Sequence, residues 1–304
     1  MEETHKKLNV LLVSIIIPIH KTTPYLKECV HSALGQTHKN IEVLAVCNGE
    51  LSTQQCSDFL DIEDDRLYFM NSLPGRHCAR NEGLKEAKGD YIQYLDYDDI
   101  LIEDKIEKQL QDLDAMEAIS ICQWKRFYND IKEDYIFPYP ELFKQTNPGV
   151  SRLYELIGIT KGFIATASWL LPHKLAKMAK WEEVPNDDAV YFSKIIEPDT
   201  NIQMYPIAMV GVRMHADNTS EIKTQAELDL LLDGWSQIEL QLSNKEILTR
   251  DIYLYAAYAY ILGISHRLGN YRRSHILKLC LRHGRRAKIR FKILFKHIKY
   301  AFIS

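Results

Sequence analysis

The chain has 304 residues, 46% hydrophobic and 26% charged, enough apolar side chain for one large domain, or a domain with an appendage, and too much for a disordered chain. Formal net charge is only −3, but residues 252–304 carry twelve Lys and Arg and no acid, leaving 26 basic against 41 acidic residues before them. Six cysteines, Cys29, Cys47, Cys56, Cys78, Cys122 and Cys280, lack CxxC spacing, which speaks against a zinc site or a disulfide framework and for a reducing, cytosolic setting.

In chain order, "KKLNVLLVSIIIPIH" resembles a charged and then apolar leader. It lacks a small-residue cleavage site and runs into Pro18 and His20, so a buried strand is expected. Apolar runs at 13–19, 41–46, 66–70 and 91–95 suit strands buried on both faces. Between the first two, Thr23 offers a cap, Pro24 a first helical position, and Leu26, Val30 and Leu34 a helical stripe. Further helices are expected in "ARNEGLKEAKG", stopped by Gly89, and in "IEDKIEKQLQDLDAM". This alternation implies a parallel α/β sheet. Beyond residue 120 the pattern loosens, with a helix-like "PHKLAKMAKW" and a strand near 207–215. From 221 the sequence reads as helices, among them "YLYAAYAYILGI" (253–264), which is too short to span a bilayer; no membrane span is predicted. A single boundary is placed near residue 220, at "ADNTSE".

The segment "YIQYLDYDDIL" (91–101) puts three carboxylates, Asp96, Asp98 and Asp99, at the end of a buried strand. Like charges there repel and lose hydration, so a positive partner is expected. Ligands of open α/β sheets bind beyond the carboxyl ends of strands. Hard oxygen ligands suit Mg²⁺ or Mn²⁺, which keeps coordination positions for phosphate. A helix cap in which Asp98 or Asp99 starts "IEDKIEKQL" is the competing reading.

Three segments, "VSIIIPIHKTTPYLKECVHSALGQTHKNIEVLAVCNG", "ARNEGLKEAKGDYIQYLDYDDIL" and "NDDAVYFSKI", taken in this order, resemble the inverting family 2 glycosyltransferases of GT-A fold, of the bacterial polysaccharide and lipooligosaccharide type, over residues 13 to about 220. The resemblance implies a mixed, mostly parallel sheet flanked by helices. It divides the chain into a GT-A domain over 1–219, with 1–103 the nucleotide-binding half and 104–219 the acceptor half, and a helical region over 220–304. It makes the acidic triplet a site for Mn²⁺ or Mg²⁺, with Asp98 a direct ligand and Asp96 near the metal or the ribose. Pro18 and His20 would lie near the base. Cys47 and Asn48 stand where the family usually has an acidic pair; the Asn48 amide could still meet a pyrimidine edge.

Arg80, beside Asn81, would reach phosphate or uracil through its guanidinium, or simply pair with a surface acid. Within "NDDAVYF", the resemblance makes Asp188 the general base and Asp187 its orienting neighbour; consecutive acids before a helix are also a common N-terminal decoration. In "VRMHADNTS", Arg213 or His215 would approach the diphosphate, and His215 would join the metal ligands. Trp169 and Trp181 either shape the sugar pocket or fill the core.

The expected reaction moves a hexose or N-acetylhexosamine from a UDP-sugar to a hydroxyl of a glycan or glycolipid. Transfer to a polyprenyl phosphate and a non-catalytic, nucleotide-sugar-binding protein are the alternatives. The basic segment 285–304 places Phe291, Phe295, Ile298 and Phe302 on one helical face, which suits an anionic membrane surface. A nucleic-acid arm and docking on the acidic body compete with that reading, and no nucleic-acid partner is expected. The localisation expected is cytoplasmic, with peripheral contact on the inner face of the plasma membrane.

Overall fold

The computed structural model describes residues 11–113, 117–215 and 221–294. The buried run Val13–Ile19 forms β1. Pro24–Leu34 forms α1, with Pro24 in the first turn and Leu26, Cys29, Val30, Ala33 and Leu34 buried; Thr23 takes the extended cap conformation, but its hydroxyl makes no capping bond. Ile41–Asn48 is β2. Thr53–Leu60 is α2, closed by a reciprocal Ser52 and Gln55 capping box. Leu67–Ser72 is β3.

Helix α3, Arg76–Glu86, starts three residues before the expected "ARNEGLKE". Gly75 precedes it at φ 109°, a left-handed backbone that disfavours other residues. Tyr91–Tyr94 is β4 and Ile100–Leu101 is β5. Helix α4 spans Lys105–Gln111 and not the whole segment from Ile102. The sheet claims the residues before it: Ile100 pairs with Gly211, and Ile102 N–H donates to Met209 O at 2.9 Å.

Then follow β6 (Ile119–Phe127), β7 (Tyr135–Ile136), α5 (Gly149–Thr160), β8 (Trp169–Pro172), the short α6 (His173–Ala176), α7 (Asp187–Ile195) and β9 (Ile202–Arg213). The chain ends its described part in α8 (Gln225–Asn244), α9 (Arg250–Arg267) and α10 (Arg273–Arg286). The all-helical reading after 221 agrees with this, and 253–264 lies inside α9 with Leu254, Tyr258, Ile261 and Leu262 buried.

The nine strands among the described residues form one mixed sheet, ordered β3-β2-β1-β4-β8-β6-β9-β5, with β7 paired to β6. β1, β2, β3 and β4 are parallel neighbours. β8 enters antiparallel between β4 and β6, and β9 runs parallel to β6. The mostly parallel sheet with helices beside it matches the expected fold class.

Contacts group the residues into two compact units. One draws on Met1–Asn147, Ile164–Glu183 and Thr200–Asp217, the other on Pro148–Phe163, Val184–Asp199 and Asn218–Ser304. The first contains the whole sheet. In the second, α5 and α10 pack on α9, and α7 packs on α8. The chain therefore passes between the units several times, where composition suggested one cut near residue 220.

Candidate active site

Because β8 is antiparallel to both β4 and β6, β9 runs in the direction of β4, β1 and β2. The ends of these strands therefore bring Pro18 and His20, Asn48, Asp96 and Asp98, and Arg213 and His215 to one edge of the sheet. A crevice of this kind is where open α/β sheets take their ligands.

The acidic triplet lies in the turn between β4 and β5. Leu95 N–H donates to Ile16 O and Asp99 N–H to Asp96 O, each at 3.0 Å. Helix α4 begins at Lys105 with Asp104 in the cap position, so neither Asp98 nor Asp99 is a helix cap.

Each carboxylate meets a different basic residue. Arg80 binds Asp96 at 2.7 Å; the Arg80 side chain is only 3% exposed, while Asp96 is 45% exposed. His215 Nε2 lies 2.7 Å from Asp98 Oδ2. The buried Asp99 accepts the Arg213 backbone N–H at 3.0 Å. The Arg213 guanidinium donates through Nε to the Asp98 carbonyl at 3.1 Å and binds Glu28 of α1. Its planar group lies 4.4 Å from the rings of both Tyr25 and Phe127, an arrangement that suits a buried guanidinium. Tyr25 also stacks on His215, with centroids 5.5 Å apart.

Burial pushes the Asp98 carboxyl above its usual range and the charge of Asp96 adds to this, while the bond to His215 opposes it. Asp99 is pushed up further by burial, then by Asp98 and Asp96. Partial burial lowers the His20 imidazole, with Lys21 adding and Asp98 opposing. The turn therefore remains short of positive charge at both Asp98 and Asp99.

Helix α3 carries Arg80 into this site. Gly83, one turn on, presses against the sheet, where a Cβ would lie 2.5 Å from Ile16 Cγ2. Asn81 clamps the backbone of Trp181 at both ends: its Nδ2 donates to Trp181 O, and Trp181 N–H donates to its Oδ1, each at 2.9 Å. The Trp181 ring, 2% exposed, then lies 4.3 Å under the Arg80 guanidinium. Tyr94 meets the same ring edge-on at 5.0 Å, and Trp169 stacks on it at 6.3 Å. Both tryptophans are core residues, and Trp181 is also the shelf on which Arg80 rests.

The other expected residues at this edge are quieter. Pro18 is inside β1 opposite Val46. His20, just past β1, meets Tyr97 edge-on at 4.9 Å. Asn48 is buried at the last position of β2, opposite Ser72. Of the expected metal set, Asp98 and His215 touch, whereas the Asp96 carboxylate turns to Arg80. Among the described residues no group of three or more His, Cys, Asp or Glu is gathered to hold a metal ion.

Asp187 and Asp188 belong to the second unit and open α7, with Asn186 before them. Asp187 Oδ1 accepts the Asp188 N–H at 3.0 Å, and Asp188 Oδ1 accepts the Ala189 N–H at 2.7 Å. Both carboxylates thus also decorate a helix N-terminus, where negative charge is favoured.

A family model described as glycosyl transferase family 2 matches residues 14–170, more than half of the chain. The chain belongs to glycosyltransferase family 2. An uncharacterized glycosyltransferase of Haemophilus influenzae is 39% identical to this one over 108 residues, which cover 34% of the chain and 42% of the relative. The match thus spans less than half of that relative's length. Among solved structures, TarS 1–349 of S. aureus in complex with UDP-GlcNAc superposes with a TM-score of 0.68 at 16% identity, covering 91% of this chain and 82% of TarS 1–349. The mannosyltransferase PcManGT of Pyrobaculum calidifontis, in complex with GDP-Man and Mn²⁺, gives 0.57 at 13% identity, with 96% and 86% covered. These likenesses establish the GT-A fold for this chain.

Sequence reasoning named most of the polar groups at this edge of the sheet but missed Tyr25 and Glu28, which hold Arg213. Both lie on the first turns of α1, and nothing in "TTPYLKE" marks them, because their partner is more than 180 residues away in sequence.

Proposed function

We propose that the chain transfers a hexose or N-acetylhexosamine, with inversion, from a UDP-sugar to a hydroxyl of a glycan or glycolipid. The observation that carries this reading is the turn 96–99: three carboxylates at a strand end, none capping a helix, beside Arg80, Arg213 and His215. Asp98, Asp96 and His215 are the residues that would hold Mn²⁺ or Mg²⁺. Their chemistry fits a cation that keeps most of its coordination for phosphate and water, and the raised Asp98 is a carboxylate that added positive charge would favour in ionised form. When bound, the ion supplies charge neutralisation for the departing diphosphate.

Arg80 orients Asp96 and adds a fixed positive charge beside it. Asn48, Pro18 and His20 would bound the base, with the Asn48 amide facing the pyrimidine edge. Asp188 would accept the proton of the acceptor hydroxyl as that oxygen attacks the anomeric carbon, and Asp187 would orient it. The nucleotide sugars in the TarS and PcManGT complexes support a nucleotide-sugar donor. The Mn²⁺ of the latter supports a divalent ion.

The test is a thermal-shift panel of UDP-, GDP-, CMP- and dTDP-sugars with Mn²⁺ or EDTA on wild type, Asp98→Ala and Asp188→Asn. Saturation at 100 times Kd adds about 2.7 kcal/mol of stability. A Mn²⁺-dependent shift with one UDP-sugar, lost in Asp98→Ala and kept in Asp188→Asn while transfer stops, is the expected pattern. No shift with any nucleotide sugar would overturn the assignment.

A further inference from the structure

Helix α10 divides cleanly by burial. Ile276, Leu277, Cys280, His283 and Gly284 face inward, and His275, Lys278, Arg282, Arg285 and Arg286 are exposed. The exposed set falls at i, i+3, i+7, i+10 and i+11, one stripe of a helix. Lys278, Leu281, Arg282, Arg285 and Arg286 line an open hollow of about 470 Å³. Arg282 reaches Glu239 at 2.6 Å; no acid lines the hollow.

Beyond the helix the exposed Lys288, Arg290 and Lys292 alternate with two exposed apolar side chains, Phe291 at 74% and Ile293 at 45%. Residues 271–294 hold nine Lys and Arg and no Asp or Glu. A purely solvated helix face has no need of such one-sided charge, and a folded chain does not normally leave a phenylalanine and an isoleucine outward in the middle of it.

We propose that this face of α10, with the segment through Ile293, is a docking surface for a bilayer containing anionic phospholipid. The cations lining the hollow would take headgroup phosphates, and Phe291 and Ile293 would enter the acyl boundary. One feature favours lipid over nucleic acid: the aliphatic Ile293 is exposed beside Phe291, where a base-stacking surface relies on aromatic rings. The stripe expected from sequence, Phe291, Phe295, Ile298 and Phe302, differs from this one, and its last three members lie outside the described residues. Among the described residues no helix is long and apolar enough to cross a membrane, so the attachment is to the surface.

The experiment is cosedimentation of the full chain with vesicles of phosphatidylcholine alone or with 30% phosphatidylglycerol, without nucleotide sugar, so that it reads separately from the transferase assignment. Expected are binding to the anionic vesicles only and release in 0.5 M NaCl. The triple variant Lys278→Glu, Arg285→Glu, Arg286→Glu, which leaves the Arg282 pair intact, should bind on the order of a hundredfold more weakly at an unchanged melting temperature. Phe291→Ser with Ile293→Ser should weaken vesicle binding and leave retention on heparin unchanged. Equal binding to neutral vesicles, no binding at all, full binding by the triple variant, or an unchanged double variant would each overturn the proposal; the last would mark a general polyanion site.

Discussion

The pair of hydrogen bonds between Asn81 and the Trp181 backbone is the point where a small perturbation should reach the candidate site without touching it. Asn81→Ala removes a donor and an acceptor, each in a 2.9 Å bond, and strands the Trp181 N–H and C=O. Two neutral hydrogen bonds contribute about 1–3 kcal/mol net, and partial burial of the stranded groups places the loss toward the upper end, about 2–3 kcal/mol. The Trp181 ring then loses its fixed height under Arg80, 4.3 Å away. The Arg80 and Asp96 pair keeps its charges but not its geometry, so donor affinity should fall about three- to tenfold, the effect of about 1 kcal/mol. Urea denaturation measures the first quantity and calorimetric titration of the UDP-sugar with Mn²⁺ the second. Trp181→Phe is the control: it keeps the backbone clamp and should lose less stability to repacking, yet still weaken the donor. An Asn81→Ala variant within 0.5 kcal/mol of wild type would refute the clamp. Full stability loss with unchanged donor affinity would leave the clamp structural and refute its reach to Arg80.

Gly83→Ala should destabilise by about 1–3 kcal/mol despite the better helix propensity of alanine, because the new methyl meets Ile16 Cγ2 at 2.5 Å; an increase in urea midpoint would contradict the close approach of α3 to β1. Lys105, fully buried in α4 with its Nζ bonded to Gln93 and Gln109, is lowered by burial from 10.5 to about 8. Below pH 8 it is charged in both states and the full burial cost stands; between pH 8 and 10.5 the unfolded chain holds a proton that the folded chain has released, so stability rises with pH. The urea-derived stability of wild type relative to Lys105→Met should therefore climb by about 1–3 kcal/mol from pH 7.5 to 9.5, and parallel curves would show that the ammonium is not buried as charge.

β1, β2 and β4 were legible because each is an apolar run buried on both faces, and α1 because proline and an apolar stripe mark it; β3 was legible as an apolar run, but it is the edge strand, with Leu67 buried and Tyr68 and Asn71 exposed. β6 was not legible. Its run ISICQWKRF carries Ser120, Gln123, Lys125 and Arg126, which break any apolar pattern; the buried Ser120 is met by Gln109 of α4, which also bonds the Ser168 carbonyl. The length of α4 was overread for a related reason: Ile102 fits the stripe of a helix, but sheet pairing with β9 takes it first. Local periodicity reports burial, not which neighbour supplies it.

The site shows the same division. That three aspartates at a strand end need compensation follows from electrostatics alone, and Arg80 and His215 were both readable as candidates. In the folded chain each carboxylate of the triplet also has its own partner: Arg80 for Asp96, His215 for Asp98 and the Arg213 backbone for Asp99. The three are not equivalent. Arg80 is a permanent charge on a buried shelf, and Arg213 is locked between two rings and Glu28, so neither can yield easily. His215 meets Asp98 through one ring nitrogen and stacks on Tyr25, while burial and the charge of Asp96 hold the Asp98 carboxyl above its usual range. A divalent ion entering this turn would add positive charge beside Asp98, which favours its ionised form. The arginines, already in place, would keep Asp96 and Asp99 from reorganising as it binds.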